Sequence, residues 1–210
     1  MITKAIFFDF DNTIANDAPF IIECFEYTFN KLGIKNNLDI NLFGPTEYSI
    51  FSKLLDDEKK IKEALDVFSD YYIKNYKKGI SIFPGIREVL ERLKQDFKLS
   101  LITNSYKYRL KNILPDAYDF FDSIVTVDDV ERKKPDPEGV WKSLKELNLN
   151  KENIVYVGDS LDDLLVCKLL EIKFIRVLWG DKFSFESTDF SYVDVESPEE
   201  LLDIIYKKLS

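Results

Sequence analysis

Phe7-Phe8-Asp9-Phe10-Asp11-Asn12-Thr13 runs an apolar segment into two carboxylates and then into a polar turn. A buried strand end is a costly place for one unpaired carboxylate, and two close together repel unless a proton or a cation offsets them. Positive charge is therefore expected beside Asp9 and Asp11. The apolar residues before them, Ala5 to Asp9, read as a strand, and similar short runs recur at Lys98 to Thr103, Ser123 to Val127, Asn153 to Val157 and Lys173 to Leu178. Their near-continuous apolar character implies burial on both faces, as in a parallel sheet covered by helices.

Between most of these runs lie helical patterns. Ile86, Val89, Leu90 and Leu93 form one, Leu164, Leu165, Lys168 and Leu169 another, and Leu201, Leu202, Ile204, Ile205 and Leu209 a third. Asp136-Pro137 and Ser197-Pro198-Glu199-Glu200 read as helix starts with an N-cap and a proline at the first helical position. The alternation breaks from 16 to 79, where the pattern is helical throughout, through Ile21, Ile22, Phe25, Phe29 and Leu32 and later Ile61, Ala64, Leu65, Phe68, Tyr71 and Tyr72. The expected fold is thus an α/β, Rossmann-like parallel sheet flanked by helices, in residues 1–15 and 80–210, with an inserted all-helical domain at 16–79.

Whole-chain composition narrows the chemistry. A formal charge of −9 argues against a nucleic-acid-binding surface. No apolar run approaches the length of a membrane span, and no basic segment with a long apolar region opens the chain, so a cytoplasmic protein without membrane partners is expected. Cys24 and Cys167 both sit in apolar helical contexts and read as buried thiols. His is absent, which removes the usual general base and the commonest transition-metal ligand. Catalysis must rest on carboxylates.

In a parallel α/β sheet the carboxyl ends of the strands share one edge, where ligands bind. Asp9 closes the first strand, Thr103 and Asn104 the second, Lys134-Pro135 follow the third, and Gly158-Asp159 close the fourth with Asp163 four residues on. Each alone is an ordinary turn or cap. Together they suit phosphoryl transfer: a carboxylate nucleophile, Mg²⁺ on hard oxygen ligands, and cationic and hydroxyl groups around the phosphoryl oxygens. Mg²⁺, a phosphoryl group and Lys134 would then balance the paired charges of Asp9 and Asp11.

With these residues in view, the chain resembles the haloacid dehalogenase-like hydrolase superfamily, in the phosphoglycolate phosphatase-like branch with a helical cap after the first strand. Asp9-Phe10-Asp11-Asn12-Thr13 matches DxDxT, Thr103 the strand-end Thr/Ser, Lys134-Pro135 the Lys-Pro, and Gly158-Asp159-Ser160-Leu161-Asp162-Asp163 the GDSxxD motif. The resemblance implies Asp9 as nucleophile, Asp11 as general acid and base, and Thr103, Asn104 and Lys134 as phosphate binders. It implies Asp9, Asp159 and the Asp11 backbone carbonyl as Mg²⁺ ligands, with Asp163 supporting either the metal site or Lys134. The stretch Phe43-Gly44-Pro45-Thr46-Glu47-Tyr48 resembles the cap loop that faces the core, which makes Thr46 and Tyr48 candidate specificity residues. Asn12 and Glu171 stand where relatives carry Gly, and Trp179-Gly180 match the closing strand only loosely.

The expected activity is Mg²⁺-dependent hydrolysis of a small phosphorylated metabolite through an aspartyl phosphate, by a monomer or weak homodimer. Dehalogenases lack the second motif Asp, present here as Asp11. β-Phosphoglucomutase-like enzymes time their acid and base with a cap His, which this chain does not have, and ion-pumping ATPases need membrane helices. A receiver domain is shorter, without an inserted lobe, and its accepting Asp lies on a later strand. A phosphotransferase or phosphomutase of the same fold and an inactive binding protein remain the alternatives.

Overall fold

The structure, a computed structural model, describes residues 4–35, 47–180 and 189–208. The chain divides into two compact units, Asp17–Ile80 and the remainder.

The larger unit holds a parallel sheet of β1 (Ala5–Phe8), β4 (Lys98–Ile102), β5 (Ser123–Val125), β6 (Ile154–Gly158), β7 (Lys173–Val177) and β8 (Val193–Val195), in the order β5-β4-β1-β6-β7-β8. All four residues of β1 are buried, as are those of β6, because helices cover both faces. The chain leaves β1 toward β4 and β5 and returns on its other side as β6 and β7, so β1 marks the reversal of strand order. The crevice at the carboxyl ends lies there. In register, Phe8 pairs with Leu101 and Val157, which brings the residues that follow β1, β4 and β6 to one edge. A second pairing, β2 (Ala15–Asn16) with β3 (Ser81–Ile82), is antiparallel. It was not expected, since two residues are too few to show alternation.

The helices of this unit are α4 (Ile86–Leu93), α5 (Lys107–Ile113), α6 (Ala117–Phe120), α7 (Glu138–Leu147), α8 (Leu161–Leu170) and α9 (Pro198–Lys208). Phe7 and Tyr156 pack with Val140 and Leu144 of α7 and with Leu164, Cys167 and Leu170 of α8 in one apolar layer.

Three local expectations are corrected. In α8 the inward face is Leu164, Cys167 and Leu170, while Leu165 and Leu169 are exposed, so the apolar pattern was read one position out of phase. A helix apolar on several sides gives no unique phase. The third strand stops at Val125 rather than Val127, because Thr126 and Asp129 cap a short 3₁₀ turn: the Thr126 hydroxyl donates to Asp129 at 2.8 Å and its backbone N–H at 3.1 Å. Helix α7 is capped by Pro137, one residue later than expected, while Asp136 accepts from the Glu138 N–H at 3.0 Å.

The smaller unit is α1 (Ala18–Leu32), α2 (Glu47–Leu54) and α3 (Glu58–Gly79) around Phe25, Phe29, Phe51 and Phe68, with Phe25 and Phe68 centroids 4.7 Å apart. Pro19 sits in the first turn of α1, where its missing N–H costs nothing, and Gly33 ends that helix in the left-handed conformation. Cys24 and Cys167 are buried and form no disulfide. No helix among the described residues is long and apolar enough to cross a membrane.

Candidate active site

Asp9 leaves β1 with its backbone N–H bound to the Val157 carbonyl, so the strand ladder itself fixes where the side chain starts. Immediately after it, Asn12 takes φ 55°, a conformation that Asn tolerates better than most residues. The resulting tight turn, with Asn12 N–H on the Ala15 carbonyl and Ile14 and Ala15 N–H on that of Phe10, brings Asp11 and Thr13 back to the edge that Asp9 occupies.

Asp9, Asp159 and Asp163 converge, each buried, with one oxygen apiece lying within 4.8 Å of the others. Lys134 enters among them. Its Nζ donates to Asp9 Oδ1 at 2.6 Å and Asp163 Oδ1 at 2.7 Å, and its side chain is 5 % exposed. The second Asp163 oxygen accepts from Ser160 Oγ at 2.6 Å and from Ser160 N–H, the reciprocal half of the box that starts α8. Both oxygens of Asp163 are thus engaged, one by Lys134 and one by the helix start. That geometry favours support of Lys134 over direct metal contact. Gly158 makes it feasible, since a Cβ there would lie 2.5 Å from Asp163 Oδ2.

Burial raises the Asp9 carboxyl to about 8, with Asp163 adding to the rise and Lys134 opposing it. Asp159 is pushed well above its ordinary value by burial and by Asp9 and Asp163. Lys134 loses by burial but gains more from Asp163 and Asp9, and is held charged, well above its usual value. Ionised together, three buried carboxylates against one ammonium would leave negative charge uncompensated, which is why Asp9 and Asp159 hold their protons so tightly. Hard oxygen donors, clustered and dry, fit Mg²⁺, whose presence would relieve that excess.

The other sequence-predicted residues fall around this centre. Thr103 is buried at the end of β4, where its Oγ1 accepts from the Ser105 N–H at 2.9 Å, which leaves its proton to donate. Asn104 uses its side-chain amide on Lys134, donating to its carbonyl at 3.0 Å and accepting from its N–H at 2.9 Å. It holds the lysine loop, and only its backbone N–H is left to meet a phosphate. The Asp11 side chain turns to Ser105 and Arg109, which engage both of its carboxylate oxygens. Tyr48, in the smaller unit, donates to Glu58 at 3.0 Å. Thr46 lies outside the described residues.

Several residues around the cluster carry contacts to which the sequence assigns no role. Thr13, wholly buried, donates to Asp159 Oδ1 at 3.1 Å and so orients the carboxyl that lies beside Asp9 in the cluster. Trp179 donates from Nε1 to the Thr13 carbonyl at 3.0 Å, and a Cβ on Gly180 would lie 2.7 Å from the Asn12 carbonyl. The Trp179-Gly180 pair thus braces the turn after β1. Tyr156, a polar tip in an aliphatic strand, receives a 3.3 Å hydrogen bond from Lys134 Nζ and donates to the Ile102 carbonyl. That hydroxyl in the middle of a buried run was the available signal. Arg109 had none beyond its place four residues after Ser105.

A family model described as haloacid dehalogenase-like hydrolase matches residues 6–177. The chain is 30 % identical, over 96 % of both lengths, to the pyrophosphatase PpaX of Halalkalibacterium halodurans. It is 26 % identical to the PpaX of Oceanobacillus iheyensis, over 98 % of this chain and 94 % of that one. Among solved structures, a haloacid dehalogenase-like family hydrolase from Streptococcus pneumoniae superposes with a TM-score of 0.79 at 25 % identity, covering 97 % of this chain and 98 % of the other. With a model that spans most of the chain and relatives that run its full length, the chain belongs to the haloacid dehalogenase-like hydrolases.

Proposed function

We propose that the protein is a Mg²⁺-dependent phosphatase of small phosphate esters that works through a phosphoryl group carried on Asp9, with residues 16–79 as the helical cap domain and 1–15 and 80–210 as the core domain. The observation that carries this reading is the ion pair of Lys134 with Asp9 in a buried cluster with Asp159 and Asp163. A structural lysine would need one carboxylate, not a buried set of three whose shared ionisation calls for a further cation.

Asp9 Oδ attacks phosphorus, and the bond to the leaving oxygen breaks as Asp11 gives that oxygen its proton. Asp11, now a carboxylate, takes a proton from water, whose oxygen attacks phosphorus and frees Asp9 with release of phosphate. Lys134, the Thr103 hydroxyl and the backbone N–H groups after β4 hold the phosphoryl oxygens. Bound Mg²⁺, on Asp9, Asp159 and the Asp11 carbonyl, would supply the charge that the carboxylates and the phosphoryl group lack. Tyr48, with Thr46, would contribute to substrate choice from the cap.

Two PpaX relatives aligned over nearly their full lengths favour a second reading of the substrate, inorganic pyrophosphate. Its leaving group is a phosphate, which needs less help from an acid than an alkoxide does. A chromogenic phosphate ester tests the activity: hydrolysis should need Mg²⁺, stop in chelator and vanish in Asp9→Asn, and full turnover in chelator would reject the metal. Pyrophosphate set beside a panel of monoesters in the same assay decides between the two substrates.

A further inference from the structure

Arg109 lies on α5, outside every motif that marks the site. Its side chain is 9 % exposed, and its Nη1 donates both to Asp11 Oδ1 and to Ser105 Oγ. Ser105 in turn donates from Oγ to Asp11 Oδ2 at 2.6 Å. Each oxygen of the Asp11 carboxylate is therefore held, one by the guanidinium and one by the hydroxyl, and the two holders are tied to each other.

The holders are themselves fixed by the fold. Ser105 N–H is bound to Thr103 Oγ1 at 2.9 Å, and the Ser105 carbonyl accepts from Val127 N–H at 3.3 Å. Arg109 N–H closes the first turn of α5 onto the Tyr106 carbonyl at 3.0 Å. Ser105 precedes the extended N-cap Tyr106, and Arg109, in the first turn of α5, reaches back to its hydroxyl. The Asp11 side chain itself is 26 % exposed.

We infer that Arg109 is the positioning residue of Asp11: with Ser105 it fixes the acid and base arm at the edge where Asp9 receives the phosphoryl group. This rests on the reading of Asp11 as acid and base given above. A proton is delivered only from within hydrogen-bond reach, so a carboxyl that wanders loses rate, not affinity. An arginine suits the task because a single terminal nitrogen carries two protons, one for the carboxylate and one for a second acceptor, and the group remains charged when buried.

The test combines Arg109→Gln, Arg109→Lys, Ser105→Ala and Asp11→Asn with the double variant Asp11→Asn/Arg109→Gln, on an aryl phosphate and an alkyl phosphate. Arg109→Gln should lower kcat by about ten- to a hundredfold with KM held within about threefold, and the loss should be greater on the alkyl ester, whose leaving group needs the proton. Arg109→Lys should recover part of it. In the Asp11→Asn background, Arg109→Gln should leave the rate of Asp9 phosphorylation by the aryl ester unchanged, because a residue that acts through Asp11 has nothing left to position.

Wild-type turnover by Asp11→Asn would reject the acid and base reading, and the inference with it. An impaired Asp11→Asn beside a normal Arg109→Gln would overturn the inference alone. So would additive losses in the double variant, or an effect confined to KM, either of which would place Arg109 on the substrate. A loss equal on both esters would mark a structural role. Should Arg109→Gln not fold, Ser105→Ala removes the other half of the clamp and must show the same split between esters; wild-type behaviour there overturns the inference.

Discussion

Lys133 and Lys134 are neighbours in sequence and opposites in environment. Lys134 is buried between Asp9 and Asp163, whereas Lys133 is exposed. Lys134→Ala removes a preorganised cation from the reacting centre and should slow turnover by about a hundredfold or more, while Lys133→Ala should change it little. Equal mild losses in kcat would show that the buried lysine has no part in the chemistry. The lysine was legible in the sequence because it precedes Pro135 just after a strand, at the edge where two Asp also fall. Its retinue was not. Tyr156 reaches Lys134 from the middle of β6, and Arg109 reaches Asp11 across 98 positions of chain, contacts that arise only when strand order has been set. Asn104 was read as a phosphate binder from its place beside Thr103, but its amide sits on the Lys134 backbone.

Helix termini are where single elements store or lose stability. Helix α8 ends at Glu171 with φ 56°, a conformation that costs a residue bearing a Cβ, and its ion pair to Lys151 spans 3.7 Å at the surface. Glu171→Gly should stabilise the protein by about 0.5–1 kcal/mol in denaturant melts; a loss of stability would mean that the glutamate has a role beyond the cap. The Thr126–Asp129 box gives a prediction in pH. Burial raises the Asp129 carboxyl, but the Thr126 hydroxyl, the Thr126 N–H and Lys107 outweigh it and hold the group below its ordinary value of 3.8. A depressed folded value means that the unfolded chain binds the proton first, so the contribution is whole above about pH 4 and fades as the pH falls through the folded value. Asp129→Ala should cost about 1 kcal/mol at neutral pH. The gap from wild type should close on acidification, and a gap that widened would reverse the sign. The cap itself was readable in principle, Thr followed three residues later by Asp, yet the apolar Val127 between them prolonged the strand pattern. Elements of one clear period, such as β1 and α4, were legible; α8, apolar on more than one side, hid its phase.

Across the whole molecule the layout followed from alternation of apolar strands with helices, and the edge that carries the site followed from parallel topology. The two-residue pairing of β2 with β3 was beyond reach because it carries no period of its own. Charge at this scale yields a further expectation, since a fold that gathers buried carboxylates is stabilised by the cation that neutralises them. Mg²⁺ at a hundredfold above its Kd should raise the melting temperature by about 5 to 10 °C, and Asp159→Asn should abolish most of the rise; an equal rise in that variant would place the cation elsewhere. The proposed covalent step on Asp9 is tested most directly by rapid quench and intact-mass measurement of Asp11→Asn after mixing with an acyl phosphate and Mg²⁺, followed by peptide mapping. The expected result is one phosphoryl group per chain, on Asp9, formed quickly and lost slowly, and none in Asp9→Asn. Steady turnover by Asp9→Asn, or turnover by the native protein with water attacking the substrate directly and no phosphoryl group ever held on Asp9, would contradict it.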